Sequence, residues 1–328
     1  MSLSRQSTRV SISQDSSVPV AFASALFAAG VTWALKPNRR THASDTVVPK
    51  SLVGVPYAEE LELAIEVALK AGENIVSHSD SKGTVDEKDS NDKQDNVEVD
   101  EQNERLVVEA IRYFYPDHKI IGDPTDTGGV VPNLTMAPTW IIDPVDGTTN
   151  FDSGLPLTCV SIGFCVEGRP VMGVVYAPMT NELYVGIRGH GSFRNGVRIT
   201  GSKQQAKTLK DAVVNFEFGS SRSDVAQCVR NIMKNGVKST RCLGSGVLDF
   251  CYVATGRLDV VFAGAAANEG WKPWDYCAAY VIVKESGGAM ESLVDQNPGD
   301  DLNLYGSSFI CATSQILLEE TRRVALGD

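Results

Sequence analysis

Thr139-Trp-Ile-Ile-Asp-Pro-Val-Asp-Gly-Thr-Thr-Asn-Phe151 reads as a buried strand that ends by presenting two carboxylates, Asp143 and Asp146, followed at once by Gly147-Thr148-Thr149. Carboxylates at a strand end are hard oxygen ligands, suited to Mg2+ rather than to soft metals. Gly-Thr-Thr can begin a helical turn whose first backbone N–H groups face outward, where a phosphate would sit. Metal-binding and phosphate-binding chemistry thus fall on adjacent residues, the juxtaposition that phosphoryl transfer to water needs. An Asp-Pro-x-Asp-Gly cluster after a strand also reads as a plain turn, with Asp bonding its own backbone and Gly at positive φ.

The pattern extends over all thirteen residues, from the Thr139-Trp140 end to Asn150-Phe151, and at that length it closely resembles the signature of the inositol monophosphatase family of Mg2+-dependent phosphatases. The resemblance covers roughly Ala58 to Ala325. It implies a five-layer αβαβα arrangement, which periodicity alone could not establish.

Composition agrees with such an enzyme. The chain has 328 residues, and a catalytic region of about 280 residues can bury a large core as one or two domains. A net charge of −11 argues against a nucleic-acid partner, which would require a basic face. Residues 80–104 hold ten acids against three lysines, most of that excess, and such a run reads as a solvated loop. Seven scattered cysteines without a C-x-x-C pair, and four histidines without ligand spacing, support neither a zinc site, a disulfide framework nor a histidine-based triad. Carboxylates and hydroxyls are left to do the chemistry.

The N-terminus stands apart. Residues 2–17 are Ser-rich, and Val18–Leu35 form eighteen uncharged, mostly apolar or small residues followed by Lys36, Arg39 and Arg40. Eighteen residues are short for a membrane span, and the stretch serves equally as a signal h-region or part of an organellar presequence. Residues 1–45 are therefore read as a targeting segment or membrane anchor with its linker, the linker running over residues 36–55. Residues 46–328 form the catalytic domain. The protein is then membrane-anchored or organelle-targeted through residues 18–35.

Within that domain, helical periodicity marks Tyr57–His78 and Asp100–Tyr115. β-like runs follow at Lys119–Ile121, Trp140–Ile142, Leu157–Val166, Val171–Tyr176 and Glu182–Ile187. Asn195-Gly196 marks a hairpin turn within Phe193–Ile199. Strand and helix signals alternate through the last third: Ala212–Phe218, Val225–Lys234, Lys238–Cys242, Val247–Thr255, Leu258–Phe262, Asp275–Ser286 and Phe309–Ala312, before a final helix. Gly287-Gly288 supplies the stop after Ser286. The order predicts an α/β or α+β layered sandwich.

Trp274-Asp275, twelve residues before that Gly-Gly, matches a second family motif whose aspartate ligates metal and touches substrate; an Asp before a helix also reads as an N-cap. The resemblance implies a metal set of Asp143, Asp146, Asp275 and the Val145 carbonyl. It completes that set with the first glutamate of a Gly-Glu-Glu motif, which also orients the attacking water. Here the chain departs, reading Gly122-Asp123-Pro124. Asp123 keeps the charge but is one methylene shorter, and Pro124 removes the second carboxylate and stiffens the backbone. A ligand displaced by ~1 Å can cost ~100-fold in rate. Asp100 matches the aspartate that bonds the catalytic threonine, and Thr148 matches that threonine.

On the substrate side, Gly147 and Thr148 would hold phosphate oxygens through backbone N–H groups, with Asp146 and Asp275 adjoining. Arg241–Gly246 resembles a segment lining the polyol side, which nominates Gly244, Ser245 and Gly246; a Gly-Ser-Gly helix start is the structural alternative. Glu269 is the acid left to bond substrate hydroxyls, in a loop longer than in most members. The resemblance thus implies Mg2+-dependent hydrolysis of a small phosphate ester, inositol monophosphate above all. Histidinol phosphate, a nucleotide 3′-phosphate or a sugar bisphosphate are the neighbouring substrates. Asp123-Pro124 keeps open a degenerate member that binds metal or a partner without turnover. Family members are commonly homodimers.

Overall fold

Apolar residues alternate along the inner strands, and each set meets a different layer of helices. The computed structural model describes residues 48–82, 92–122, 131–201, 206, 208–218, 222–265, 271–294 and 302–327. Seven strands follow one another across a first sheet: β1 (Lys119–Gly122), β2 (Thr139–Asp146), β3 (Cys159–Val166), β4 (Arg169–Ala177), β5 (Glu182–Ile187), β6 (Gly191–Arg194) and β7 (Val197–Ile199). β1 and β2 run parallel, and the later neighbours are antiparallel. A second sheet holds β8 (Val213–Glu217), β9 (Ser239–Arg241), β10 (Val260–Ala263), β11 (Ala289–Glu291) and β12 (Phe309–Ala312), in the order β11-β12-β10-β8-β9. Its β8, β9 and β10 are parallel.

Among the described residues seven α-helices surround and separate the sheets: α1 (Ala58–Lys82), α2 (Asp92–Phe114), α3 (Thr148–Asp152), α4 (Arg222–Asn235), α5 (Gly246–Ala254), α6 (Pro273–Ser286) and α7 (Gln315–Leu326). Trp140, Ile142, Val174 and Val185 pack outward with Leu61, Ile65, Val107 and Ile111 of α1 and α2. The alternate residues Ile141, Val175 and Tyr184 face inward onto α5 and α6, where Val261, Ala263 and Cys311 of the second sheet meet them. Val260, Phe262 and Ile310 point the other way, to Val225 and Ile232 of α4 and Leu317 and Leu318 of α7. The period-two pleat therefore sorts side chains into three cores and yields five layers, α-β-α-β-α.

The middle helix pair shows what this costs in space. α6 is buried on all sides, as a helix between two sheets must be. Gly163, Gly173 and Gly186 lie side by side across β3, β4 and β5 and form a trough beneath it. A Cβ on Gly173 would stand 2.1 Å from the Ala278 carbonyl oxygen, and one on Gly163 2.6 Å from Cys277 Sγ. Side chains at these positions would lift the helix that carries Asp275.

Most expected elements appear within a few residues of their predicted ends. The hairpin turn has both Asn195 and Gly196 at positive φ, and Gly287 closes α6 in the left-handed conformation. Two expectations need correction. The later part of the acidic run is helix, because α2 starts at Asp92 and places Val99 and Asn103 in the core. Leu52, assigned to the linker, is fully buried against the outer helices. Among the described residues no helix is long and apolar enough to cross a membrane; residues 18–35 lie outside them.

Candidate active site

Asp143 and Asp146 are three residues apart, so a regular strand would send them to opposite faces. The structure breaks that parity. Asp143 pairs with Ser161 and Asp146 with Cys159, so two residues of β2 oppose one of β3 in a β-bulge. Ile142 and Val145 consequently both pack in the outer core, while both carboxylates act on the inward-facing Cys159 thiol and push its pKa up, after burial itself. Asp143 Oδ1 accepts the Val145 N–H at 3.1 Å, which holds the bulge in shape.

Gly147 follows at φ +83° and begins α3. A side chain there would be strained, and its Cβ would lie 2.6 Å from the Leu157 carbonyl oxygen. Thr148 stands exposed at the first position of α3. Asn150, from the same quoted stretch, donates to the Leu157 carbonyl at 3.0 Å and to the Leu243 carbonyl at 2.7 Å. It thereby fastens α3 to the Arg241–Gly246 segment.

That segment reaches Asp146 directly. Ser245 is buried, and its hydroxyl donates to Asp146 Oδ2. The same oxygen accepts the Val247 N–H at 3.2 Å and the Cys159 thiol at 3.6 Å. Asp146 thus sits at the N-terminus of α5, where unpaired N–H groups and the helix dipole favour an anion. These contacts do not offset burial, which pushes the Asp146 carboxyl up to about 6, with Glu217 adding to the rise.

The other expected residues fall as follows. Asp100 is half-buried on α2, one turn from Asn103, whose amide reaches the Pro144 carbonyl at 3.4 Å. That contact brings its helix face onto the Asp143–Asp146 loop. Asp275 lies at the third position of α6 rather than at its cap, and its Oδ2 accepts the Lys272 N–H at 2.7 Å. Gly244 adopts φ +79° with Asn150 against it, and Gly246 packs beneath Trp271. Asp123 and Glu269 lie outside the described residues. The strand before Asp123 is described: Gly122 pairs with Ile142, so β1 ends at the edge where β2 presents Asp143.

Three polar residues were missed in the sequence. Asn215, Glu217 and Asp249 are buried around the Leu243–Gly244 backbone. A carboxylate closing an apolar strand, as Glu217 does after Val213–Phe216, was the available signal.

The donor set fits a cation. Among the described residues the partners of Asp146 Oδ2 are neutral, so none of them offsets a charge there. The oxygens on offer are hard. Among the described residues no three His, Cys, Asp or Glu side chains converge into a ready cage; Asp123 is not among them. A pH dependence follows. A carboxylate raised by burial contributes stability below its unfolded pKa of about 4 and loses it as pH rises through about 6. A bound cation offsets that loss. Thermal melts with and without Mg2+ should therefore show a small increment at pH 5 and a full one by pH 7.5, and Asp146→Asn should flatten the difference. An increment independent of pH would argue against a cation bound by Asp146.

The chain has well-defined relatives. A model of the inositol monophosphatase family matches residues 57–325. The chain is 40% identical over 238 residues to inositol monophosphatase 3 of Solanum lycopersicum, spanning 70% of this chain and 84% of that protein. It is 37% identical over 233 residues to Nus factor SuhB of Escherichia coli (strain K12), spanning 70% and 83%. Among solved structures, the IMPase of Thermotoga maritima matches with a TM-score of 0.65 at 29% identity, covering 82% of this chain and 97% of that one. The inositol monophosphatase from Anabaena (Nostoc) sp. PCC 7120 matches with a TM-score of 0.66 at 25% identity, covering 82% and 95%. This chain belongs to the inositol monophosphatase family.

Proposed function

We propose that the chain hydrolyses small phosphate monoesters with Mg2+, inositol monophosphate first among them. Family membership supports metal-dependent phosphate ester hydrolysis. The observation that carries the residue-level reading is the bulged end of β2, which turns Asp143 and Asp146 to one side beside the tight Gly147 turn. Asp143, Asp146, Asp275 and the Val145 carbonyl would hold the metal, with Asp123 completing the set. Bound there, the metal neutralises charge on the phosphoryl and leaving oxygens and acidifies a water. Thr148, exposed at the start of α3 and supported by Asp100, would position the attacking water with Asp123. N–H groups of Gly147 and Thr148 would hold phosphate oxygens. Ser245 and Val247 keep Asp146 from rotating, while Gly244, Ser245, Gly246 and Glu269 would face the polyol. The test is a panel of phosphate monoesters assayed with the purified chain, with and without Mg2+; absence of any Mg2+-dependent turnover would refute the reading.

Asp123-Pro124 motivates a second reading, a member that binds metal or a partner without turnover. The two are separated by Asp123→Glu, which restores the longer ligand and is expected to raise kcat or tighten apparent Mg2+ affinity. A fully active wild type indifferent to Asp123→Ala would sink the placement of Asp123 in the site.

The same proposal treats residues 1–45 as a targeting segment or anchor outside the catalytic body, and the assembly as a homodimer, which light scattering would check. Deleting residues 1–45 is expected to leave kcat and thermal stability unchanged, to recover the protein in the soluble fraction and to alter its location in the cell. Loss of fold or activity on deletion would move the domain boundary.

A further inference from the structure

Glu217 closes β8 alongside Ala263 of β10, is buried, and has no part in the chemistry described so far. Its Oε1 gathers three N–H groups: Leu243 at 2.9 Å, Gly244 at 2.9 Å and the Asn215 amide at 3.2 Å. Gly244 is in the left-handed conformation, which lets two successive backbone N–H groups converge on one acceptor. Asp249, fully buried on α5, accepts from the same Asn215 amide nitrogen at 2.8 Å. Burial, with the charge of Glu217 beside it, pushes the Asp249 carboxyl well up. Glu217 is thus a buried carboxylate satisfied by donors.

What those donors belong to matters. Leu243 and Gly244 directly precede Ser245, whose hydroxyl holds Asp146, and Val247, whose N–H holds the same oxygen. The Leu243 carbonyl is taken by Asn150 of α3. Clamped on both sides, this loop joins the second sheet to the carboxylate end of the first.

We propose that Glu217 is a positioning residue for the hydrolysis: its carboxylate fixes the Leu243–Gly244 backbone and thereby delivers Ser245 to Asp146. This rests on the reading of Asp146 as a metal ligand. Residues that orient a ligand typically control metal affinity or activity by about 10–100-fold.

The test compares wild type, Glu217→Ala, Glu217→Gln, Ser245→Ala and the double variant Glu217→Ala/Ser245→Ala in the full chain. Hydrogen exchange follows the amides of residues 242–247, and calorimetry follows Mg2+ binding, both well below the melting temperature. In Glu217→Ala, the Leu243 and Gly244 amides are expected to exchange at least about tenfold faster and Mg2+ affinity to fall about 10–100-fold. Glu217→Gln keeps an acceptor oxygen in place, folds where the alanine variant does not, and should lose less. Adding Ser245→Ala to Glu217→Ala should cost little more, because both act through one contact. Unchanged exchange would overturn the proposal, as would unchanged Mg2+ binding once the loop has opened, or full additivity of the two substitutions. A wild type that binds Mg2+ but turns over no phosphate ester overturns the phosphatase reading instead, and exchange and calorimetry still decide the role of Glu217.

Discussion

Replacing Asp143 by Asn is expected to lower kcat/KM below about 1% of the wild-type value and to leave the fold intact. The reasoning separates the two jobs of the side chain. Structurally, Asp143 Oδ1 accepts the Val145 N–H and so holds the bulge. An asparagine oxygen accepts the same bond at the same place, so the backbone has no cause to move. Chemically, the substitution replaces a hard anionic oxygen ligand by a neutral amide at a buried strand end, beside an Asp146 whose partners among the described residues are neutral. A cation held there loses a hard anionic ligand, and that loss exceeds the ~100-fold cost of a ~1 Å misplacement. Measured side by side, the variant should melt like wild type and show no Mg2+-stimulated hydrolysis. Substantial activity in the Asn variant, or full wild-type activity in EDTA, would refute the metal mechanism.

A second large effect is expected far from any charge. Gly173→Val should destabilise the protein by about 3 kcal/mol or more, the upper range for overpacked cores. For a domain of this class that corresponds to a fall of roughly 6–12 °C in melting temperature. The cause is specific: the added Cβ would stand 2.1 Å from the Ala278 carbonyl oxygen and 2.7 Å from its carbon. Those are main-chain atoms in the middle of α6, so no side-chain rotation can relieve the contact. The helix has to lift, and it carries Asp275 two residues before the Cys277 that rests on Gly163. Activity should therefore fall with stability. Gly173→Ala should show the same effects in lesser degree. A melting temperature unchanged in the valine variant would mean that α6 is not seated in the glycine trough.

Much of this was legible in the chain. Apolar alternation placed the strands, and 3.6-residue periodicity placed the helices, because both patterns are local consequences of backbone geometry. The Phe309–Ala312 strand matches to the residue, and Asn195-Gly196 marked its turn because only such residues accept positive φ readily. The thirteen-residue stretch from Thr139 carried the family, and with it the layered fold. Where periodicity was weak the reading slipped. Asp92–Glu98 looked like a solvated run because charge dominates its sequence, and the buried positions of the helix, Val99 and Asn103, come only after it. β11, three residues long, gave too short a pattern to see.

The site divides along the same line. Sequence alone determined that Asp143 and Asp146 close a buried strand, that Gly147 follows, and that Trp274-Asp275 opens a helix, since each is written in neighbouring residues. Only the tertiary structure decided that the two carboxylates share a side, because a bulge depends on the register of β3 against β2 and leaves no mark in β2 itself. Only it decided that Ser245 serves Asp146, and that Glu217 and Asn215 grip the loop between them. Those partners come from separate sheets and separate stretches of chain. A buried carboxylate acquires its role from the donors that folding gathers around it, and local pattern does not encode them.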